Sequence, residues 1–194
     1  MLRVAVMVSG GGTNLQAIID AVNDGKITNT ELVAVISNNK GAYALTRAKN
    51  AGIKDILVSP KDYGTREEFH KALIETIDSL NVDLIVLAGY LSVLGGKILE
   101  KYDGKIMNLH PALLPKFGGV GMWGHNVHEA VLASGEKESG CTIHLVDSGC
   151  DTGKILVQKK VPVLPGDTVD SLYSRIAPEE HKAIVEGLLK LSEA

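Results

Sequence analysis

The chain has 194 residues, 45% of them hydrophobic and 22% charged, with a formal net charge of −3 at pH 7. That is the size and make-up of one globular domain with a full core, residues 1–194. With no long basic run, wholesale binding to a nucleic-acid backbone or an anionic membrane is not expected. Its two cysteines, Cys141 and Cys150, have no companions at metal-ligand spacing and read as reduced, partly buried small residues of a cytoplasmic protein.

The opening segment is too short for a membrane span and lacks a signal cleavage site. Leu2 to Val8 reads instead as a parallel strand apolar on both faces. It runs into Ser9-Gly10-Gly11-Gly12-Thr13-Asn14 and then a helical repeat of apolar residues from Leu15 to Val22. Strand, glycine loop and helix point free backbone N–H groups at an anion, and Thr13 or Asn14 could cap the helix. A tight turn that merely needs φ > 0 is the structural alternative. No Lys-Ser/Thr follows the glycines, Leu15 occupies the place of a third glycine, and the second strand, Glu31 to Ser37, ends in Asn38-Asn39 where a ribose-binding acid belongs. A monophosphate therefore suits the loop better than a nicotinamide cofactor.

Tyr43 to Ala51 reads as a helix and Asp55 to Val58 as a short strand. Thr65 to Leu80 is a stronger helix, with a capping box from Thr65 and Glu68 and an apolar stripe of Phe69, Leu73, Ile74 and Ile77. Arg66 stands in its first turn against the usual charge preference. Val82 to Leu87 is a buried strand that ends in Ala88-Gly89-Tyr90-Leu91-Ser92-Val93-Leu94, an apolar loop suited to a flat organic ligand. A helix over Gly95 to Tyr102 follows.

The centre of the chain is Lys105 to Lys116. An apolar run there ends in Asn108 and His110, which project to one face of an extended segment. Pro111 and Pro115 then stop both strand and helix. Carboxyl ends of strands are where open α/β sheets carry their chemistry, although the pair alone also reads as a backbone-tied histidine beside a turn asparagine. Phe117 to Gly124 has four glycines and the only tryptophan, and could close over a ligand. His125 and His128 lack the carboxylate signature of a metal pair. Thr142 and His144 share one face of a strand over Gly140 to Val146, which leads through Asp147-Ser148-Gly149-Cys150-Asp151-Thr152-Gly153 into an antiparallel strand over Lys154 to Val163. The end, Thr168 to Ser192, is helical and interrupted at Pro178, with Glu179-Glu180-His181 just past the break. The expected fold is α/β: a Rossmann-like, mostly parallel doubly wound sheet with antiparallel strands in the C-terminal part.

The segments VSGGGTNLQAII, LAGYLSVL, MNLHPALLPKFGG and HLVDSGCDTGKILVQ, in this order, resemble the folate-dependent phosphoribosylglycinamide formyltransferases over essentially the whole chain. The resemblance implies transfer of the formyl group of 10-formyltetrahydrofolate, a cosubstrate, to the amine of glycinamide ribonucleotide in purine synthesis. It further implies a cytoplasmic monomer or homodimer with no metal, nucleic acid or membrane. By this resemblance His110 is the catalytic acid, Asn108 its formyl-binding partner and Asp151 the carboxylate that keeps the ring charged. Gly12, Thr13 and Asn14 hold the substrate phosphate, and Glu180 lies on the side of the substrate amine. Arg66, Leu91, Ser92, Val93 and Leu94 bind folate along with Asn108, while Thr142 and His144 support the site. Ser92 stands where some members have arginine, and Gly11 replaces a frequent asparagine.

Other readings remain at this point. Formyltetrahydrofolate hydrolase and methionyl-tRNA formyltransferase use the same donor, but each carries a further domain that is not expected here. A non-catalytic phosphate- or folate-binding module, or a nicotinamide dehydrogenase, would need none of the transfer chemistry.

Overall fold

The structure, a computed structural model, describes residues 1–194. Its sheet has seven strands: β1 (Leu2–Val8), β2 (Thr30–Ser37), β3 (Lys54–Leu57), β4 (Leu84–Leu87), β5 (Ile106–His110), β6 (Glu138–Leu145) and β7 (Ile155–Pro162). They lie in the order β3-β2-β1-β4-β5-β6-β7. β1 to β5 are parallel, while β6 and β7 run antiparallel to their neighbours. The helices are α1 (Thr13–Asn23), α2 (Tyr43–Asn50), α3 (Arg66–Ser79), α4 (Gly96–Lys101), α5 (His125–Ser134) and α6 (Val169–Ser192). A 3-10 turn spans Pro60–Asp62.

Strand periodicity divides the apolar residues between two cores. Val4, Val6 and Val8 of β1, Val86 of β4 and Leu109 of β5 pack with α1 and α6 on one face. Ala5, Met7, Ile85, Leu87 and Ile106 point the other way, onto Phe69, Leu73 and Ile77 of α3 and Ile98 of α4. Central strands buried on both faces leave polar chemistry to their ends. The carboxyl ends of β1, β2, β4 and β5 lie side by side because these strands are adjacent and parallel.

The expected elements are present, with three local differences. The capping box of Thr65 and Glu68 forms as expected. Helix α1, however, is entered through Gly12 in the left-handed conformation (φ 77°) with no side-chain cap, so neither Thr13 nor Asn14 caps it. Helix α6 continues through Pro178 for 24 residues. A proline costs one backbone N–H, and the helix is held on either side of it by packing of Leu172, Ile176, Ala183, Ile184 and Leu188 into the core. Cys141 is buried as expected, but Cys150 is exposed.

Candidate active site

Three glycine carbonyls turn back into the protein after β1. Gly10 O accepts from Ala44 N–H at 3.1 Å and Gly12 O from Gln16 N–H at 2.9 Å. Gly11 O accepts from Arg47 Nε at 2.7 Å. The backbone N–H groups from Gly10 to Asn14 have no acceptor within the protein, so a row of donors faces outward at the start of α1. Gly12 is required here: its φ is positive, and a Cβ would lie 2.6 Å from Ala44 Cβ. The Asn14 amide donates to Glu180 Oε2 at 3.2 Å, while Asn14 Oδ1 is buried without a partner. Glu180 itself is buried, and burial pushes its carboxyl pKa up while the Asn14 amide acts against that shift. The continuous α6 thus brings an acid to the glycine loop.

The loop after β4 displays Leu91 and Val93, 59% and 72% exposed. Leu94 turns into the core, and Ser92 Oγ is engaged by Asn38 Nδ2 at 2.5 Å. Arg66 reaches this loop, with Nη2 3.5 Å from Val93 O.

On β5 and β6 the register sets Asn108 opposite His144 and His110 opposite Thr142. All four side chains stand on one face, and Asp151 lies over them: Oδ2 is 3.7 Å from His110 Nδ1, and Oδ1 is 3.7 Å from His144 Nε2. Gly119 N–H donates to the same carboxylate at 3.0 Å. The second ring nitrogen of His110, Nε2, lies 2.7 Å from Phe117 O. Both ring nitrogens of His110 thus face oxygen atoms, Nε2 within hydrogen-bond distance of a carbonyl and Nδ1 at ion-pair distance from a carboxylate. His144 fits the neutral ring. Burial chiefly lowers its pKa, and Nδ1 lies 3.1 Å from Leu145 O. As the neutral ring it donates from Nδ1 and accepts at Nε2 from Asn108 Nδ2, 3.1 Å away. That contact fixes the Asn108 amide, leaving its second N–H and its Oδ1 for a ligand.

Thr142 works beneath the site. Its hydroxyl donates to Ala112 O at 2.7 Å and accepts from Leu114 N–H and Gln158 Nε2, both at 3.1 Å. It therefore pins the proline loop, in which the Leu114–Pro115 bond is cis. Asp147 makes the turn itself, accepting from Gly149 N–H at 3.0 Å and Thr152 Oγ1 at 2.7 Å.

Sequence reasoning missed Gln158, whose place follows only from its pairing with Thr142 across β6 and β7. It also missed the Phe117 carbonyl and the Gly119 N–H, backbone groups that no residue type announces. Within the loop carrying them, Val120 and Trp123 are 95% and 56% exposed. The rings of His125 and His128 both lie against Tyr173, with centroids at 6.2 and 5.8 Å.

Known proteins resemble the chain over its whole length. The formyl transferase family matches residues 2–188. Phosphoribosylglycinamide formyltransferase of Haemophilus influenzae is 39% identical over 200 residues, covering 100% of this chain and 92% of that protein. The trifunctional purine biosynthetic protein adenosine-3 of Drosophila melanogaster is 45% identical over 190 residues, of which this chain spans only 14%. Among solved structures, glycinamide ribonucleotide transformylase 1 of Symbiobacterium toebii superposes with a TM-score of 0.93 at 41% identity, covering 100% of this chain and 88% of that one. The corresponding enzyme of Geobacillus kaustophilus gives 0.91 at 36%, covering 98% of each chain. A family match over residues 2–188, with identities of 36–45% over nearly the whole chain, settles the membership: the chain belongs to the formyl transferase family.

Proposed function

We propose that this protein transfers the formyl group of 10-formyltetrahydrofolate to the amine of glycinamide ribonucleotide. The observation that carries the reading is the Asp151 carboxylate set 3.7 Å from both His110 and His144, beside an Asn108 whose amide His144 holds in place.

The amine attacks the formyl carbon, and the formyl oxygen gathers negative charge in a tetrahedral intermediate. The free N–H of Asn108 and the protonated His110 are the groups that meet this charge. Asp151 stabilises the imidazolium by Coulombic attraction in a site largely closed to water. His110 now gives Nε2 to the Phe117 carbonyl, so the Phe117–Gly124 segment must release that nitrogen if it is to serve the oxyanion. The proton lost by the attacking amine passes through the His110–Asp151 pair to the departing folate nitrogen, which leaves as the neutral amine of tetrahydrofolate. Proton balance is met by these side chains and asks for no metal.

Around this centre, the outward N–H row of Gly12, Thr13 and Asn14 takes the ribonucleotide phosphate. Glu180, with Asn14, orients the acceptor on the amine side. Leu91 and Val93, the backbone at Ser92 and Leu94, and Arg66 receive the folate. The reaction belongs in the cytoplasm, carried out by a monomer or homodimer on small molecules without nucleic acid or membrane.

The test is tetrahydrofolate release, followed by absorbance with and without glycinamide ribonucleotide. Release that depends on the amine is the expected result. Release without it would point to the hydrolase, and folate binding with no release to a non-catalytic module.

A further inference from the structure

The segment between Gly89 and Gly96 has no charged side chain, yet polar groups from three other parts of the chain hold it. Leu91 N–H donates to Ser9 Oγ at 2.9 Å. The Ser9 hydroxyl in turn donates to Asn38 Oδ1 at 2.7 Å, and Asn38 Nδ2 donates to Ser92 Oγ at 2.5 Å. Asn39 Nδ2 fastens Ser9 from behind, donating to its carbonyl at 3.1 Å. Further along the loop, His70 Nε2 stands 3.3 Å from Val93 O, the carbonyl that Arg66 also approaches.

These contacts decide which side chains the loop presents. The Leu91 N–H and the Ser92 hydroxyl are drawn down toward the sheet, and Leu94 is buried. The side chains left to face outward are Leu91 and Val93. Two exposed apolar groups side by side at the carboxyl end of a strand lose contact with the core, a loss that a flat ring laid across them recovers.

We infer that Ser9, acting through Asn38, is the positioning residue for the donor-binding loop, holding Leu91 and Val93 out as the apolar seat for the flat ring system of the formyl donor. The inference rests on the proposed reading of this loop as the folate site, and it assigns a role to Ser9 and Asn38 that the transfer chemistry does not require. Ser9 is 7% exposed. Its hydroxyl is replaceable by no neighbour, so Ser9→Ala leaves both the Leu91 N–H and Asn38 Oδ1 without partners and lets the loop leave the sheet.

Calorimetric titration with tetrahydrofolate, which cannot transfer a formyl group, tests this against titration with ribose 5-phosphate. Ser9→Ala is expected to weaken tetrahydrofolate about ten-fold, the equivalent of one lost buried hydrogen bond, with ribose 5-phosphate bound as by the parent. Ser92→Ala, at a half-buried position where folding is not at risk, is expected to weaken the same ligand about three-fold. A purely structural serine would lower the melting temperature and weaken both ligands together. That outcome, or undiminished tetrahydrofolate binding in both variants, overturns the inference, as does a parent protein that binds no tetrahydrofolate. If the parent binds tetrahydrofolate but transfers no formyl group, the proposed reaction fails while the comparison of variants still decides the role of Ser9.

Discussion

Acid sensitivity should be traceable to His128. Its side chain is 2% exposed, its Nδ1 has no hydrogen-bond partner, and its pKa is lowered to about 4, by burial first and then by the charges of His125 and His110. In the unfolded chain a histidine titrates near 6.5. Between those values the unfolded state binds more protons than the folded one, so stability is complete above pH ~6.5 and is lost as the pH falls toward ~4. Each ten-fold difference in proton affinity between the two states is worth about 1.4 kcal/mol, so the loss approaches roughly 3 kcal/mol at the acid end. The assay is urea unfolding of the parent and His128→Leu from pH 7.5 to 4.5. At pH 7.5 the variant should equal or slightly exceed the parent, because leucine removes an unpartnered polar atom. At pH 4.5 it should be the more stable by roughly 2–3 kcal/mol. His144 and His181, also lowered by burial, act in the same direction in both proteins. Glu180, raised by burial, acts in the opposite direction, favouring the folded state as the pH falls. The difference between parent and variant therefore isolates His128. Curves that run parallel over the whole range would refute the reasoning.

Asp151→Asn keeps the shape of the site but removes the charge shared by His110 and His144, and kcat should fall by roughly 10²–10³, as for loss of an oxyanion-stabilising group, with the melting temperature little changed. Gly12→Ala places a Cβ 2.6 Å from that of Ala44 at a φ of +77°. Strain of about 1–3 kcal/mol should displace the N–H row and raise KM for glycinamide ribonucleotide far more than KM for the folate. Thr142→Val strips three hydrogen bonds from a fully buried hydroxyl. It should cost about 3 kcal/mol in urea unfolding, and a loss below about 0.5 kcal/mol would show that the proline loop does not depend on it.

The parallel half of the fold was legible because β1 and β4 are apolar on both faces and cannot be exposed on either. The spacing of Asn108 and His110 was likewise sufficient to put both on one face. What stayed hidden depends on the backbone. Phe117, with φ at +56°, turns its carbonyl onto His110, and nothing in a phenylalanine foretells that. Pro178 reads as a helix break from local chemistry, yet the packing of α6 outweighs the missing hydrogen bond. The two aspartates of the 147–153 loop are equivalent on turn chemistry; family resemblance singled out Asp151, and only the fold separates their work, with Asp147 closing the turn and Asp151, at a φ of +58°, reaching the histidines. Ser9, Asn38 and Ser92 lie far apart in the chain, and their association is purely tertiary.

The reversal of direction at β6 explains how a loop so placed can serve the site at all. Because β6 is antiparallel to β5, its last residues lie beside the first of β5: Leu145 pairs with Met107, and Val146 N–H donates to Ile106 O at 2.8 Å. The chain thus leaves the sheet at the end away from His110 and must fold back over it for Asp151 to arrive. Gly153 makes that return possible, since any Cβ there would fall 1.7 Å from the Leu145 carbonyl oxygen. The two halves of the constellation are therefore held by different means. The partnership of Asn108 with His144 is a matter of strand register, and a slip of one residue would carry His144 to the opposite face. The charge of Asp151 is delivered by a loop, tied down by Gly119 N–H and by the turn that Asp147 closes. Substitutions in β5 and β6 should therefore act on stability and geometry together, whereas removal of the Asp151 charge should act on the protonation chemistry while the fold stands.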